Sequence, residues 1–324
     1  MCRVSAFVQS TLESVSSASL ARSGRSLTSA ITQKEAEKFR FFFVYNEGMN
    51  NKPHILLTND DGIRSPGLWA AASELSKIGY VTVAAPREQS TAMGRSLPST
   101  SDGIIRKEQV QVNGQEWSVY AVGGSPAQAV LHGILEIVPH KPDLIVSGIN
   151  YGENVGLGVT ISGTVGAAME AAAMGYPALA VSLQTEAHYH LSHSEDIDFK
   201  TAGYFTGYFA KLLLKKKLFE GVDLLKVEVP SHATPETGWQ MARLSRLRYY
   251  EPVAAERESW DLPGSVWYRH DANLENDQED SDVYVLRNKK MVAVTPLNLD
   301  MTARVDLNQL ENYLRDSSPL RGSE

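Results

Sequence analysis

The feature that most constrains this chain is a rhythm that begins at residue 54. Short β-branched apolar runs at 54–58, 80–85, 117–122, 143–147, 178–183 and 223–229 alternate with stretches of helical length. The runs lack strict alternation, which is the pattern of strands covered on both faces. The helix signals between them are local. Ser65 can cap and Pro66 can enter the first turn of a helix reaching Ile78, which Gly79 stops. Further helices are predicted over 126–138, 165–174 and 201–218. Strands alternating with helices predict a three-layer α/β/α, Rossmann-like core with a mostly parallel sheet. In such sheets ligands collect outside the carboxyl ends of the strands.

After Pro230 the rhythm changes. Residues 241–250, 265–270, 282–287 and 291–296 read as antiparallel strands or hairpin arms. Residues 273–282 read as a polar acidic loop and 306–314 as a closing helix. The expected organisation is a core of about residues 52–235 and a C-terminal β-hairpin appendage of about residues 236–318, with a tail from 319.

The first fifty residues differ in kind. Residues 1–30 hold nine serines, Arg3, Arg22 and Arg25, and one acid, Glu13. Organelle transit peptides share that composition. Without a cleavage signature, the simpler expectation is a disordered extension or a start placed upstream of Met49. The expected location is the cytoplasm. The single cysteine, Cys2, cannot form an intrachain disulfide and requires no oxidising compartment. No apolar run reaches the roughly 18 residues of a membrane span. With 31 basic against 38 acidic residues, the net charge of −7 argues against a binder of nucleic-acid duplex. It leaves small anionic ligands open, because a local site can override the global field.

Three strand ends carry the chemistry. At the first, Asn59-Asp60-Asp61-Gly62 sets two carboxylates side by side after a greasy run. Buried without a partner they would be costly, and a hard divalent cation such as Mg²⁺ or Mn²⁺ is the partner that wants such oxygens. A plain turn is the alternative for these residue types. After the second strand, 86–96 is rich in hydroxyls, so Ser90 or Thr91 can offer a neutral oxygen. After the fourth lies the most informative segment, 147–175. It holds Asn150 and Asn154 as neutral donors. Ser162-Gly163-Thr164 then opens a helix of small residues, a start suited to seating a phosphate. The set suits one divalent ion polarising a phosphate monoester, with attack by water. A phosphatase using an aspartyl nucleophile would need Asp at the first position of Asp-x-Asp-Gly. Asn59 stands there, and an amide cannot form an acyl phosphate.

These segments closely resemble the SurE family, survival proteins that act as metal-dependent nucleoside monophosphate phosphatases. "LLTNDDGIRSPG", "GGSPAQAV", "PDLIVSGINYGENVG" and "SGTVGAAMEAAAMGYPALAVSL" match its blocks in order, and "VAVTPLNLDMTA" resembles its C-terminal block. The resemblance runs from about residue 54 to about 314. It implies one divalent metal ion per subunit held by Asp60, Asp61, Thr91 and Asn150. It also implies a phosphate side lined by Asn59, Asn154, Ser162, Gly163 and Thr164, with Asn59, Asp60 and Asp61 serving catalysis. It further implies homodimers or homotetramers built through the appendage and exchanged C-terminal segments. The chain departs from the family pattern at Thr91, where Ser is usual, and at Gln128, where an acid is usual. Ile161 replaces a usual Tyr, and Lys226 and Glu228 replace a usual pair of Asn. These departures bear on substrate preference more than on reaction type.

The His188-Tyr189-His190-Leu191-Ser192-His193 tract reads as a polar loop after the fifth parallel strand, able to touch substrate. It lacks the spacing of a zinc site. The expected function is hydrolysis of nucleoside 5′- and 3′-monophosphates. The rival is a non-catalytic nucleotide-binding or regulatory module on the same scaffold.

Overall fold

Strand β1 (His54–Thr58) is buried along its whole length, and its alternating side chains divide the core in two. Ile55 and Leu57 face helices α1 (Pro66–Leu75) and α4 (Lys200–Lys215), where Leu68, Leu75, Phe205 and Phe209 close one layer. Leu56 faces the opposite side, against Val130 of α2 (Pro126–His132) and Val165 and Ala168 of α3 (Gly163–Ala173). A strand covered on both faces has no need of a polar side, which is why its sequence is a continuous apolar run.

The computed structural model describes residues 52–112, 114–190, 192–270 and 277–315. The expectations for residues 1–51, for the first part of the acidic loop and for the tail lie outside them. Among the described residues no helix is long and apolar enough to cross a membrane.

The remaining strands are β2 (Tyr80–Pro86), β3 (Ile105–Val112), β4 (Gln115–Val122), β5 (Leu144–Tyr151), β6 (Ala178–Leu183), β7 (Leu224–Val229), β8 (Trp239–Met241), β9 (Tyr250–Val253), β10 (Trp267–His270) and β11 (Val292–Leu297). Nine of the strands form one sheet in the order β3-β4-β2-β1-β5-β6-β7-β11-β8. Its centre is parallel, and β3 with β4 and β11 with β7 pair antiparallel. From β1 the chain moves outward to β2, then returns to β5 on the other side of β1. The carboxyl ends of β1 and β5 therefore flank the point where strand order reverses, the crevice where open α/β sheets bind ligands.

Three elements differ from their sequence expectation. Residues 282–287 form helix α5 (Asp282–Arg287) instead of a strand. The Val283-Tyr284-Val285 alternation imitates a strand, but Ser281 accepts a hydrogen bond from the Tyr284 amide and starts a helix. Strand 241–250 is interrupted between β8 and β9, because the Asp282 carboxylate takes the Ser245 amide at 2.9 Å. Strand β3 went unread: it is an edge strand, with Arg106, Lys107 and Glu108 along it, and only alternate residues are partly covered. Within the region expected as an appendage, β8 and β11 join the main sheet, while β9 and β10 form a separate two-stranded hairpin. Helix α6 (Leu307–Arg315) follows, exposed along its length.

Candidate active site

The turn after β1 is closed by Asn59. Its Nδ2 donates to the Gly62 carbonyl at 3.0 Å, and its Oδ1 accepts from the Gly62 amide at 3.2 Å. Gly62 sits at φ +94°, a conformation strained for any residue with a side chain. This brace holds Asp60 and Asp61 buried at the mouth of the switch point. Asn59 is fully buried and spends its amide on the turn, so it supports the site from below instead of facing ligand.

The two carboxylates are in electrostatic difficulty. Among the described residues neither has a salt-bridge partner. Burial lifts Asp60 to about 6, although the Thr164 hydrogen bond pulls the other way. Burial first, and the neighbouring Asp60 charge second, push Asp61 well above the carboxylate range. Two acids held in this way have the chemistry of a seat for a cation.

Neighbouring segments add neutral oxygens. The Ser90 amide donates to the Asp60 carbonyl at 2.7 Å, which lays the loop after β2 over the turn. The Ser90 hydroxyl turns to the Glu88 carbonyl, whereas Thr91 lines the same cavity as Asp60. A register shift in β5 between Ser147 and Asn150 re-aims the strand end. Asn150 Nδ2 then donates to the Tyr151 and Gly152 carbonyls at 3.1 and 2.7 Å, so its carbonyl oxygen is the atom available to a ligand. Two acids, a hydroxyl and an amide oxygen make an all-oxygen set that fits a hard divalent ion retaining water. Among the described residues no group of three His, Cys, Asp or Glu side chains offers an alternative centre.

Helix α3 starts directly against Asp60. Ser162 Oγ caps it by accepting from the Val165 amide at 3.1 Å. A Cβ on Gly163 would lie 2.7 Å from Asp60 Cβ, so only glycine lets the helix come this close. Thr164 Oγ1 donates to Asp60 Oδ1 at 2.5 Å and is fully buried. The expected phosphate seat is therefore divided: Ser162 and Asn154 open into the cavity, while Thr164 serves the Asp60 carboxylate.

The loop carrying Asn154 is fixed from behind by groups far away in sequence. Glu228 accepts from the Asn154 amide at 2.9 Å, and Asn154 Nδ2 donates to Ser182 Oγ at 3.0 Å. Lys226 Nζ reaches Asp282 at 3.0 Å and Glu228 at 3.4 Å, with all three side chains fully buried. Burial pushes Glu228 up to about 7 against the pull of Lys226, and the two carboxylates hold the lysine above its usual value despite its own burial. Asp282 also accepts from the Gly156 amide at 2.9 Å. Beside it Tyr249 donates to Glu153, and Arg287 donates to Tyr249 at 2.6 Å.

Gln89 was not foreseen from sequence. Its Nε2 lies 2.9 Å from the His190 carbonyl and 3.4 Å from Asp61 Oδ1, tying the histidine loop to the acids. His193 Nε2 contacts the Asp61 carbonyl at 2.7 Å. The polar tract thus packs directly on the turn, a contact whose one sequence sign is its place after β6.

The model of the family described as "Survival protein SurE" matches residues 55–251. The chain belongs to the SurE family. Among its SurE relatives, "5'-nucleotidase SurE" of Thermococcus gammatolerans is 43% identical over 261 residues, covering 80% of this chain and 95% of the relative. The protein of the same name from Methanocella arvoryzae is 40% identical over 268 residues, 81% of this chain and 98% of that one. The crystal structure of the SurE protein from Aquifex aeolicus superposes with a TM-score of 0.64 at 29% identity, covering 82% of this chain and all of that one. Against this SurE background, the buried Lys226–Glu228 pair stands directly behind the Asn154 loop.

Proposed function

We infer that the chain is a 5′-nucleotidase, a hydrolase that removes phosphate from nucleoside monophosphates with the help of a divalent metal ion. One observation carries the reading. Two adjacent, buried carboxylates have no salt-bridge partner among the described residues, and Asp60 opens on a cavity of about 250 Å³ that neutral oxygen donors line. The names of the SurE relatives supply the substrate class.

Asp60, Asp61, Thr91 and Asn150 would hold the ion, Mg²⁺ or Mn²⁺, one per subunit. When bound it supplies Lewis-acid polarisation of the phosphoryl group. The chain does the rest. Asn59 and Thr164 fix the carboxylates, Ser162 and Asn154 face the phosphoryl oxygens, and the Glu228–Lys226–Asp282 network keeps the Asn154 loop from drifting. Asp60 and Asp61 then meet their cation in a prearranged geometry, so little reorganisation is needed at reaction. The exposed apolar residues of α6, among them Leu310, Tyr313 and Leu314, support assembly into a homodimer or homotetramer. A single cysteine is in keeping with a cytoplasmic setting.

The test is phosphate release from AMP with added Mn²⁺, with and without EDTA, in the native chain and Asp60→Asn. Turnover that needs the metal and the carboxylate is expected. Binding of AMP without turnover under every ion would replace the enzyme by a nucleotide-binding module.

A further inference from the structure

Asn154 lines the cavity beside Asp60 and Ser162, and the groups behind it decide which end of its amide the cavity meets. Its main-chain N–H donates to Glu228 Oε2 at 2.9 Å, and its Nδ2 donates to Ser182 Oγ at 3.0 Å. Ser182 is fully buried, and its hydroxyl donates in turn to Glu228 Oε1 at 3.3 Å. That hydroxyl has a single proton. The carboxylate behind it takes the proton, so its lone pairs must meet a donor, and the NH2 of Asn154 is that donor. Lys226 Nζ stands 3.4 Å from the same Glu228 Oε1, which keeps this oxygen an acceptor. The carbonyl oxygen of Asn154 is what remains for the cavity. Among the described residues it has no hydrogen-bond partner, and it is not sealed from solvent.

A carbonyl oxygen cannot hold an unprotonated phosphoryl oxygen, because both are acceptors. Ser162 can, since its hydroxyl accepts from the Val165 amide and still has its own proton to give. Asn154 thus faces the phosphoryl oxygens across something that carries hydrogen. We propose that Glu228, acting through Ser182, is a positioning residue that turns Asn154 to accept a hydrogen bond from the water attacking phosphorus. The proposal rests on the nucleotidase reading and deepens it. The water oxygen forms the new bond to phosphorus as the ester bond to the nucleoside oxygen breaks. One water hydrogen ends on that leaving oxygen and the other on the released phosphate. Asn154 takes neither. It holds the water so that a lone pair is aimed at phosphorus, and the relay behind it keeps the amide from turning over.

Glu228→Gln reverses the relay. The Asn154 main-chain N–H needs an oxygen at the Oε2 position, so the new NH2 takes the Oε1 position and donates to Ser182. Ser182 then donates to Asn154 Oδ1, and Asn154 shows its NH2 to the cavity. The experiment measures kcat and KM with Mg²⁺ for AMP and for p-nitrophenyl phosphate, and calorimetric binding of inorganic sulfate, a tetrahedral dianion with no hydrogen to give. It is run at about pH 8.5, above the value of about 7 to which burial lifts Glu228. In Glu228→Gln kcat should fall at least about tenfold on both substrates without a rise in KM, while sulfate binds at least about threefold tighter. A fold that is merely loosened lowers rate and affinity together. In a Ser182→Ala background, where the relay is cut, Glu228→Gln should change either quantity by less than about twofold. Weaker sulfate binding in Glu228→Gln, or the same tenfold loss with Ser182 replaced, overturns the relay. A loss confined to AMP overturns the assignment of water, because p-nitrophenyl phosphate has no sugar hydroxyl for Asn154 to hold instead. Should Glu228→Gln fail to fold, Ser182→Ala alone decides: a freed Asn154 amide should tighten sulfate and lower kcat, and unchanged sulfate affinity overturns the proposal. No metal-dependent release from either substrate by the native chain sinks the nucleotidase reading itself, and the relay with it.

Discussion

Gly163→Ala separates catalysis from folding in this protein. The added methyl would sit 2.7 Å from Asp60 Cβ, 2.8 Å from its Oδ2 and 3.1 Å from its Cγ. Carbon atoms prefer about 3.5–4.0 Å, so the helix start and the carboxylate must part by roughly 1 Å. Overpacking of this kind costs about 1–3 kcal/mol, and the helix preference of Ala over Gly returns up to about 1 kcal/mol. The net loss of stability is then modest, about 0–3 kcal/mol by the same figures. The loss of activity is not small, because a misplacement of about 1 Å at a reacting centre costs on the order of 100-fold. The same shift breaks the Thr164–Asp60 hydrogen bond, so the affinity for Mn²⁺ should fall with the rate. Gly207→Ala in α4 is the control. Its nearest neighbours would be Glu74 Cβ at 3.5 Å and the Glu74 carbonyl at 3.9 Å, ordinary contacts, so it should gain up to about 1 kcal/mol and keep full activity. The assays are phosphate release from AMP, calorimetric Mn²⁺ binding and thermal melting. If Gly163→Ala kept activity within about threefold of the native chain, under about 1 kcal/mol of transition-state stabilisation, the proposed role of Asp60 at the helix start would be wrong.

Asp60→Asn and Asp61→Asn should each abolish phosphate release while the far-ultraviolet spectrum stays unchanged. In metal-free protein at pH 8 each should also raise the melting temperature, because one of two buried like charges is gone. Mn²⁺ at about 100 times its Kd should add about 2.7 kcal/mol to the native chain and nothing to Asp60→Asn, which paired melts will measure. Lys226→Met leaves Glu228 and Asp282 buried without their cation and should cost about 3–5 kcal/mol in urea unfolding, with Lys226→Met plus Glu228→Gln recovering part of it. His54 is buried against Thr82 at 2.8 Å, and burial, opposed by Asp143, lowers it from 6.5 to about 4. Below pH 6.5 the unfolded chain takes a proton that the folded one refuses, so stability falls as pH drops from about 6.5 to about 4, by roughly 3 kcal/mol at most. His54→Gln should flatten that slope in denaturation measured across the window, and an unchanged slope would refute the assignment.

What the sequence disclosed depended on how far apart the interacting groups stand. Residues 54–58 and 178–183 were legible as strands because burial on both faces writes itself into one local run. The acids at 60 and 61, the hydroxyls at 90 and 91 and the amide at 150 were legible as candidates because strand ends in parallel sheets are places, and their residue types are chemical. Helix α5 was misread for the converse reason. Its Val-Tyr-Val pattern follows from burying two sides of a short helix, Val285 against Ala293 of β11 and Val283 in the cluster of Val155 and Tyr249, a fact about the neighbours and not about the segment. The support behind Asn154 was beyond reach altogether. Lys226 and Asp282 are 56 positions apart, Glu153 and Tyr249 are 96, and Gln89 and His190 are 101. No local pattern announces that a buried lysine will find two acids.

That difference has a physical consequence for how the site is divided. The proposed oxygen donors for the cation lie at or shortly after the carboxyl ends of β1, β2 and β5, so they are read as soon as the sheet is read. The groups that hold the Asn154 loop still come from the segments around β7 and α5. They reach the site only because β11 and β8 return to the main sheet, with β11 directly beside β7. Substitution in the first set should therefore stop the reaction, whereas substitution in the second should retune it. Lys226 and Glu228, where this chain departs from the usual SurE residues, belong to the second set.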